Sequence, residues 1–385
     1  MTAFLGGNRV VLLENGERYF PDVIEACEAA TREIHVETYL FENDATGRRM
    51  ADVLMRAARR GVCVRVMVDG FGARPFVEEL MSEVRAAGVE VLVYRRDFGG
   101  LRIKRHRLRR LHRKIITVDR RIAWVGGINI IDDYSEDAPL HPRYDYAVRV
   151  EGPLVGAIVH AVHHLWWLVS WASLRRRGAR PRAFNRLPVR PGDVRAAFLV
   201  RDNLRHRRDI EEAYLAAIAR AHKEIVIACA YFFPGRAFRQ ALVDASARGV
   251  RVILLLQGLS DHPMLAYATR ALYPYFLDNG IRLFEYHRSH LHAKVAVVDR
   301  RWATVGSSNI DPFSLLLARE ANVVVDHVGF AGELRDSLDR ALQVGAQELR
   351  HEDWHRLPRL QRFASWCAYQ LVRLVIGIAG YRGMH

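Results

Sequence analysis

Residues 112–129 read HRKIITVDRRIAWVGGIN, and residues 292–309 read HAKVAVVDRRWATVGSSN. His112 and His292 stand 180 positions apart, and the same offset separates Lys114 from Lys294, Asp119 from Asp299, Gly126 from Gly306 and Asn129 from Asn309. Composition alone leads one to expect the pattern HxKxxxxD about 0.01 times in a chain like this; it occurs twice. The likeness continues upstream. Glu33–Phe41 (EIHVETYLF) matches Glu224–Phe232 (EIVIACAYF), and Arg60–Val66 matches Arg248–Leu254. A period of half the chain marks a duplicated domain and not a solenoid.

Within each copy the hydrophobic pattern alternates between helix and strand. Helical periodicity covers Asp22–Arg32 and Ile210–His222, and β-branched runs follow each. Gly61 and Gly249 close a second helix, and further strands are expected at Val62–Val68, Val89–Tyr94, Val250–Leu256 and Ile281–Tyr286. Each repeated block reads as a hairpin: Lys114–Val118 and Ile122–Val125 around Asp119-Arg120-Arg121, then Lys294–Val298 and Ala303–Val305 around Asp299-Arg300-Arg301. In a strand, His112 and Lys114 point to the same side, which sets an imidazole beside an ammonium. The expected class is α/β, with helices on both faces of a sheet. The domains expected are 1–174 and 194–350, joined by a basic linker at 175–193 and followed by a tail at 351–385. The linker follows an apolar helix, Leu154–Leu174, that carries Trp166, Trp167 and Trp171. That helix reads as a domain-closing core element, with a membrane-interface role for its tryptophans as the other reading.

The chain has 385 residues, half of them apolar, and a net charge of +15. Such a surface favours anionic partners, whether nucleic acid, lipid headgroups or phosphorylated metabolites. Of 58 basic residues only Lys104, Lys114, Lys223 and Lys294 are lysine. Two of the four occupy the repeated pattern, where a compact ammonium does what a planar guanidinium cannot. Cys27, Cys63, Cys229 and Cys367 are scattered with no CxxC pair, so neither a zinc knuckle nor a redox motif is expected. Buried, reduced thiols fit a cytoplasmic-facing protein. Neither a secretory signal nor a membrane span is expected from the apolar runs.

The paired blocks resemble the HxKxxxxDxxxxxxGSxN motifs of the phospholipase D superfamily. Within it the chain resembles the shorter bacterial cardiolipin synthases. The likeness rests also on Gly7–Gly16, Tyr19-Phe20-Pro21, His35–Tyr39, Ser260-Asp261-His262 and Trp302–Asn309. The resemblance implies two similar α-β-α sandwich domains related by a pseudo-two-fold axis, with the active site at their interface. It implies one histidine as nucleophile and the other as general acid and base, with Lys114, Lys294, Asn129 and Asn309 on the phosphate; His112 is assigned as nucleophile and His292 as acid and base, and the near-symmetry of the blocks leaves the reverse order open. Ser307 is expected to add a hydroxyl donor to the phosphate. Gly127 takes its place in the first block and departs from the GS pattern. Glu320 and Asp145 are the counterparts of the family's histidine-orienting carboxylates. Asp119 and Asp299 belong to the catalytic motif, yet they fall at hairpin turns, where bracing by hydrogen bonds is expected. The physical chemistry agrees: converging cations and amides stabilise charge on a five-coordinate phosphorus, a task that elsewhere falls to a metal. Imidazole is a competent nucleophile near neutrality and departs readily once phosphorylated.

Neither a metal-ligand cluster nor a nucleotide loop is visible, so no cofactor is expected. Arg102–Lys114 (RIKRHRLRRLHRK) leads into the first block and suits an entrance that attracts phosphate. Phe363–Tyr381 carries one charge, Arg373, and follows Arg356, Arg359 and Arg362. It reads equally as a terminal helix packed on the core or as an interfacial helix facing anionic headgroups. The favoured function is transfer of a phosphatidyl group from one phosphatidylglycerol to another, giving cardiolipin and glycerol. The expected setting is the cytoplasmic side of a bacterial inner membrane, with peripheral attachment and no nucleic-acid partner. A hydrolytic phospholipase D, a nuclease of the superfamily and a non-catalytic basic scaffold remain open, as does the oligomeric state.

Overall fold

The computed structural model describes residues 3–95, 110–134, 140–173, 189–202, 206–259, 263–311, 318–356 and 358–378. The first repeat unit contains strands β1 (Leu5–Glu14), β2 (Glu33–Thr38), β3 (Cys63–Asp69), β4 (Glu90–Tyr94), β5 (Lys114–Val118), β6 (Ile122–Gly126) and β7 (Tyr146–Glu151). The second contains β8 (Val194–Arg201), β9 (Glu224–Cys229), β10 (Arg251–Gln257), β11 (Arg282–Tyr286), β12 (Lys294–Val298), β13 (Trp302–Gly306) and β14 (Glu320–Asp326), and β15 (Ala346–Leu349) follows. All fifteen join one sheet in the order β15-β11-β10-β9-β12-β13-β14-β8-β1-β7-β6-β5-β2-β3-β4. Read outward from the central β8–β1 pair, both sides follow the same sequence of equivalent strands. That palindrome is the pseudo-two-fold, and β15 is an addition at one edge.

The helices repeat as well. They are α1 (Asn15–Glu28), α2 (Ala45–Arg59), α3 (Met81–Ala86, entered through a π-turn at Phe76–Leu80) and α4 (Leu154–Ala172) in the first unit. The second unit has α5 (Asp209–Ala219), α6 (Arg236–Ala247), α7 (Pro263–Arg270), α8 (Tyr273–Asp278) and α9 (Val328–Gly345), and α10 (His351–Arg356) and α11 (Arg359–Ile378) end the chain. On one face of the sheet α4 and α9 bury a single apolar layer drawn from both units, including Ile158, Val162, Phe330 and Leu334. α4 packs on β8 and α9 on β1, so each helix crosses the seam. On the other face each unit has its own core, around Phe41, Phe76 and Trp124 in the first and Phe232, Phe238 and Phe276 in the second.

Both repeated hairpins form, through turns that suit strand twist. Asp119 and Arg120 have φ of 51° and 56°, Asp299 and Arg300 have 52° and 50°, and Arg121 N donates to Val118 O at 2.9 Å. Two successive positive φ values make these type I′ turns. Five strands were not expected from sequence: the edge strand β15 and four nearer the centre. β1 and β8 form the seam, and β7 and β14 carry the sheet from the hairpins back to it. The first helix also begins at Asn15, well before Asp22, because Asn15, Gly16, Tyr19 and Phe20 extend its buried stripe toward the N-terminus. Trp166 is buried beneath α4, whereas Trp171 is exposed at its end. α4 is the one helix among the described residues long and apolar enough to cross a membrane. Its buried face against the shared sheet is that of a core helix. The arginines of the linker at 175–182, the segment 102–109 and Ser260–His262 lie outside the described residues.

Candidate active site

The two histidines are held where the units meet, each by the unit it does not belong to. His112 precedes β5 by two residues, and its N–H donates to Arg319 O at 2.9 Å, while Arg319 N–H donates to Arg110 O at 2.8 Å. His292 precedes β12 in the same way; its N–H donates to Tyr144 O at 2.8 Å, and Tyr144 N–H donates to His290 O at 2.9 Å. Arg319 and Tyr144 are each followed by a carboxylate. His112 Nδ1 lies 2.9 and 3.1 Å from the two oxygens of Glu320, and His292 Nδ1 lies 2.6 Å from Asp145 Oδ2. The backbone bridge and the carboxylate contact come from consecutive residues, so docking the units and orienting the rings is one event. A carboxylate on Nδ1 fixes the proton there and leaves the lone pair on Nε2, the nitrogen that can attack phosphorus.

Both ammonium groups face the same space. Lys114 Nζ donates to His112 O at 2.9 Å, Lys294 Nζ donates to His292 O, and both lysines are buried. Burial, with Lys294 adding repulsion against the pull of Glu320, brings Lys114 down to about 7. Burial lowers Lys294 as well. His112 is lowered by burial against the opposing charge of Glu320, and His292 falls well below its ordinary value through burial, Lys294 and Arg143. Burial pushes Asp145 up to about 6 even though Lys294 opposes the shift. Both lysines are buried, so each ammonium group is poorly screened from the other's charge. A bound phosphodiester anion relieves that repulsion.

The asparagines fall into place symmetrically. Asn129 Oδ1 accepts from Leu40 N–H at 3.1 Å and Asn309 Oδ1 accepts from Tyr231 N–H at 3.4 Å. With the oxygen committed to backbone, the amide NH2 is left to donate to a phosphate oxygen. Ser307 departs from its expected place on the phosphate. Its hydroxyl donates to Glu320 Oε2 at 2.5 Å and accepts from Ala321 N–H at 3.0 Å, so it braces the carboxylate. The absence of a serine at Gly127 has a steric reason. A Cβ there would stand 2.3–2.8 Å from the Asp145 carboxylate, which fills that volume.

Asp119 and Asp299, grouped with the catalytic residues by the motif, stand at the far ends of β5 and β12 from the histidines. Asp119 accepts from the N–H groups of Thr31, Arg32 and Glu33, and Asp299 from those of His222, Lys223 and Glu224. They are structural braces that lock each hairpin turn to the start of β2 or β9. Two further residues at the site carried no role in the sequence reading. The Tyr39 ring lies 5.0 Å from that of His112, with Lys114 Nζ 5.4 Å from its centroid. The equivalent position in the second unit is Ala230. Arg143 adds a cation on the His292 side, and its Nε is buried without a hydrogen-bond partner. Its only signal in the sequence was adjacency to Tyr144-Asp145.

Comparison with known proteins finds the same duplication. The family model described as "Cardiolipin synthase, PLD-like domain" matches twice, at residues 23–151 and 214–342. Cardiolipin synthase B of Escherichia coli K12 is 40% identical over 348 residues, covering 89% of this chain and 82% of the relative. Cardiolipin synthase B of Salmonella typhimurium is 37% identical over 393 residues, covering 98% and 91%. Among solved structures, phosphatidylserine synthase of Haemophilus influenzae superposes with a TM-score of 0.71 at 14% identity, covering 97% of this chain and 96% of that one, a likeness of fold. With two matched segments in one chain and relatives aligned along nearly all of it, the protein belongs to the cardiolipin synthase family of phospholipase D-like proteins.

Proposed function

We propose that this protein is a cardiolipin synthase that joins two phosphatidylglycerol molecules through a phosphohistidine intermediate. The observation that carries the reading is the pair of imidazoles, each oriented by a carboxylate from the opposite unit, around a buried two-lysine pocket. The similarity to cardiolipin synthase B supports the choice of substrate.

In the first step His112 Nε2 attacks phosphorus, the bond to the glycerol headgroup oxygen breaks, and a proton held by the His292–Asp145 pair goes to that oxygen. In the second, a hydroxyl of another phosphatidylglycerol gives its proton to the same pair and attacks phosphorus, and the P–N bond breaks. Two features support this order. Glu320 engages His112 with both oxygens and is itself held by Ser307, which suits a nucleophile whose ring must not move. Asp145, brought up to about 6, lets its pair with His292 carry a shared proton close to neutral pH, as an acid–base couple must. Lys114, Lys294 and the two asparagine amides stabilise the charge of the five-coordinate state.

The lipid surface is met by α11. Its Tyr369 side packs on the second core, while Leu360, Phe363, Trp366, Leu371 and Leu374 are exposed, with Arg359 and Arg373 exposed beside them. An apolar stripe flanked by guanidinium groups suits an anionic membrane, met peripherally from the cytoplasmic side. The chain accordingly divides into a first domain at 1–174, a linker at 175–193, a second domain at 194–350 and a membrane-contacting tail from 351.

The test is incubation with phosphatidylglycerol vesicles. Cardiolipin and glycerol in equal amounts are expected; phosphatidic acid as the sole product would reassign the protein as a hydrolase. His112→Ala abolishes both product and covalent label. His292→Ala retains a phosphatidyl label on His112 while turnover stops, and a label surviving only in His112→Ala reverses the two roles.

A further inference from the structure

At the turn end of the first hairpin, Glu33, His35 and His163 bring a carboxylate oxygen and two imidazole nitrogens within 4.8 Å of one another. Glu33 and His35 share a face of β2, and His163 comes down from α4. His163 Nε2 is 3.1 Å from Glu33 Oε1, His35 Nε2 is 4.0 Å from the same oxygen, and the two imidazole rings are 4.5 Å apart. No spacing in the chain hints at this group, because His163 joins the other two only through the fold.

His35 points to a ligand. Its ring is 1% exposed, and neither Nδ1 nor Nε2 has a hydrogen-bond partner. A buried imidazole with two idle nitrogens carries an uncompensated desolvation cost that an apolar side chain would avoid. The cluster takes no part in the phosphate chemistry, since it adjoins the Asp119 turn while His112 lies at the other end of β5.

We propose that Glu33, His35 and His163 bind a divalent transition metal, with zinc the best fit to a set of two imidazoles and one carboxylate. Zinc bonds of 2.0–2.1 Å put tetrahedral ligand atoms about 3.3 Å apart. The Glu33–His163 edge already has that length, and the His35 edge needs a small side-chain rotation. Glu33 and His163 are each slightly exposed, which supplies an entry path and a fourth position for water. Arg120 holds both oxygens of Glu33 at 2.8 Å and acts as counter-charge to the apo site. On metal binding it keeps Oε2 and orients the carboxylate while Oε1 turns to the ion. Its charge, with that of Arg65 beside His35, opposes a bound cation and weakens the site. The metal would pin α4 to β2 and stiffen the first unit.

The experiment is zinc titration by calorimetry on the full chain carrying His112→Ala and His292→Ala, which removes the catalytic imidazoles as competitors. One zinc per chain is expected, accompanied by a rise in Tm. Adding His163→Gln, a partly exposed change that folding tolerates, lowers affinity at least about 10-fold and removes the Tm response. His35→Leu does the same to zinc while leaving the metal-free Tm unchanged or higher. Zinc binding and Tm response equal with and without His163, or no binding to the parent at all, would overturn the proposal.

Discussion

Restoring a larger side chain at Gly127 should damage the enzyme even though the second motif carries serine there. A Cβ at this position would stand 2.3 Å from Asp145 Oδ1 and 2.6 Å from Oδ2, roughly an ångström inside normal contact. The carboxylate must move, and its 2.6 Å bond to His292 Nδ1 is what it gives up. A hydrogen bond to a charged partner contributes about 1.5–3 kcal/mol. Lost from the transition state, that is a fall in kcat of about 10- to 150-fold. Gly127→Ala is the cleaner variant, because it adds the methyl and nothing else. Rates with phosphatidylglycerol vesicles are measured per folded molecule, with circular dichroism reporting the fold. The decisive arm is a double-mutant cycle with Asp145→Ala. Once the carboxylate is gone, Gly127→Ala has nothing left to displace and should cost less than about 2-fold. Full additivity of the two changes would refute the steric argument.

Four further outcomes rest on the same structure. Lys114→Met should raise Tm while abolishing turnover, because a buried ammonium is replaced by an apolar chain of similar length. The matching pH dependence has a definite sign. Lys114 is charged in the fold only below about 7, so kcat/KM falls above that pH, whereas stability rises from there toward the unfolded lysine pKa as the unfavourable buried charge is relieved; a flat profile on both counts contradicts the placement. Asp119→Ala removes the acceptor of three backbone N–H groups and should cost about 2 kcal/mol in urea unfolding, with kcat of the folded fraction unchanged. Backbone N–H groups hold the Asp119 carboxyl below its usual range, so that contribution is present at neutral pH and lost as pH falls through the lowered value. Replacing Phe363 and Trp366 by serine should reduce sedimentation with anionic vesicles at least about 10-fold while leaving Tm within a degree or two, as both rings are exposed.

The hairpins, their turns and the positions of His112, Lys114, His292 and Lys294 were legible because the chemistry repeats at a fixed offset and local pattern decides local structure. The seam was not. β1 and β8 are stabilised by pairing with each other, and no local signal in LGGNRVVLLE or VRAAFLVR announces a partner so far away. Glu320 and Asp145 were found as residues, but their exchange between units depends on docking, which spacing does not encode. Ser307 illustrates the same limit: a hydroxyl in a phosphate motif invites assignment to phosphate, and only the position of Glu320 redirects it. Gly127, a gap in the motif by sequence, is in space the room that Asp145 occupies.

The crossed carboxylates have an evolutionary consequence. A lone ancestral unit, folded by itself, would hold an imidazole with no acid to steady it, so such an ancestor could work only in company with its twin. While the twins were identical gene products, whatever carboxylate served one ring had to serve the other. Tandem fusion lifted that constraint, and the chain records the freedom: glutamate with a supporting serine at one ring, aspartate against bare glycine at the other.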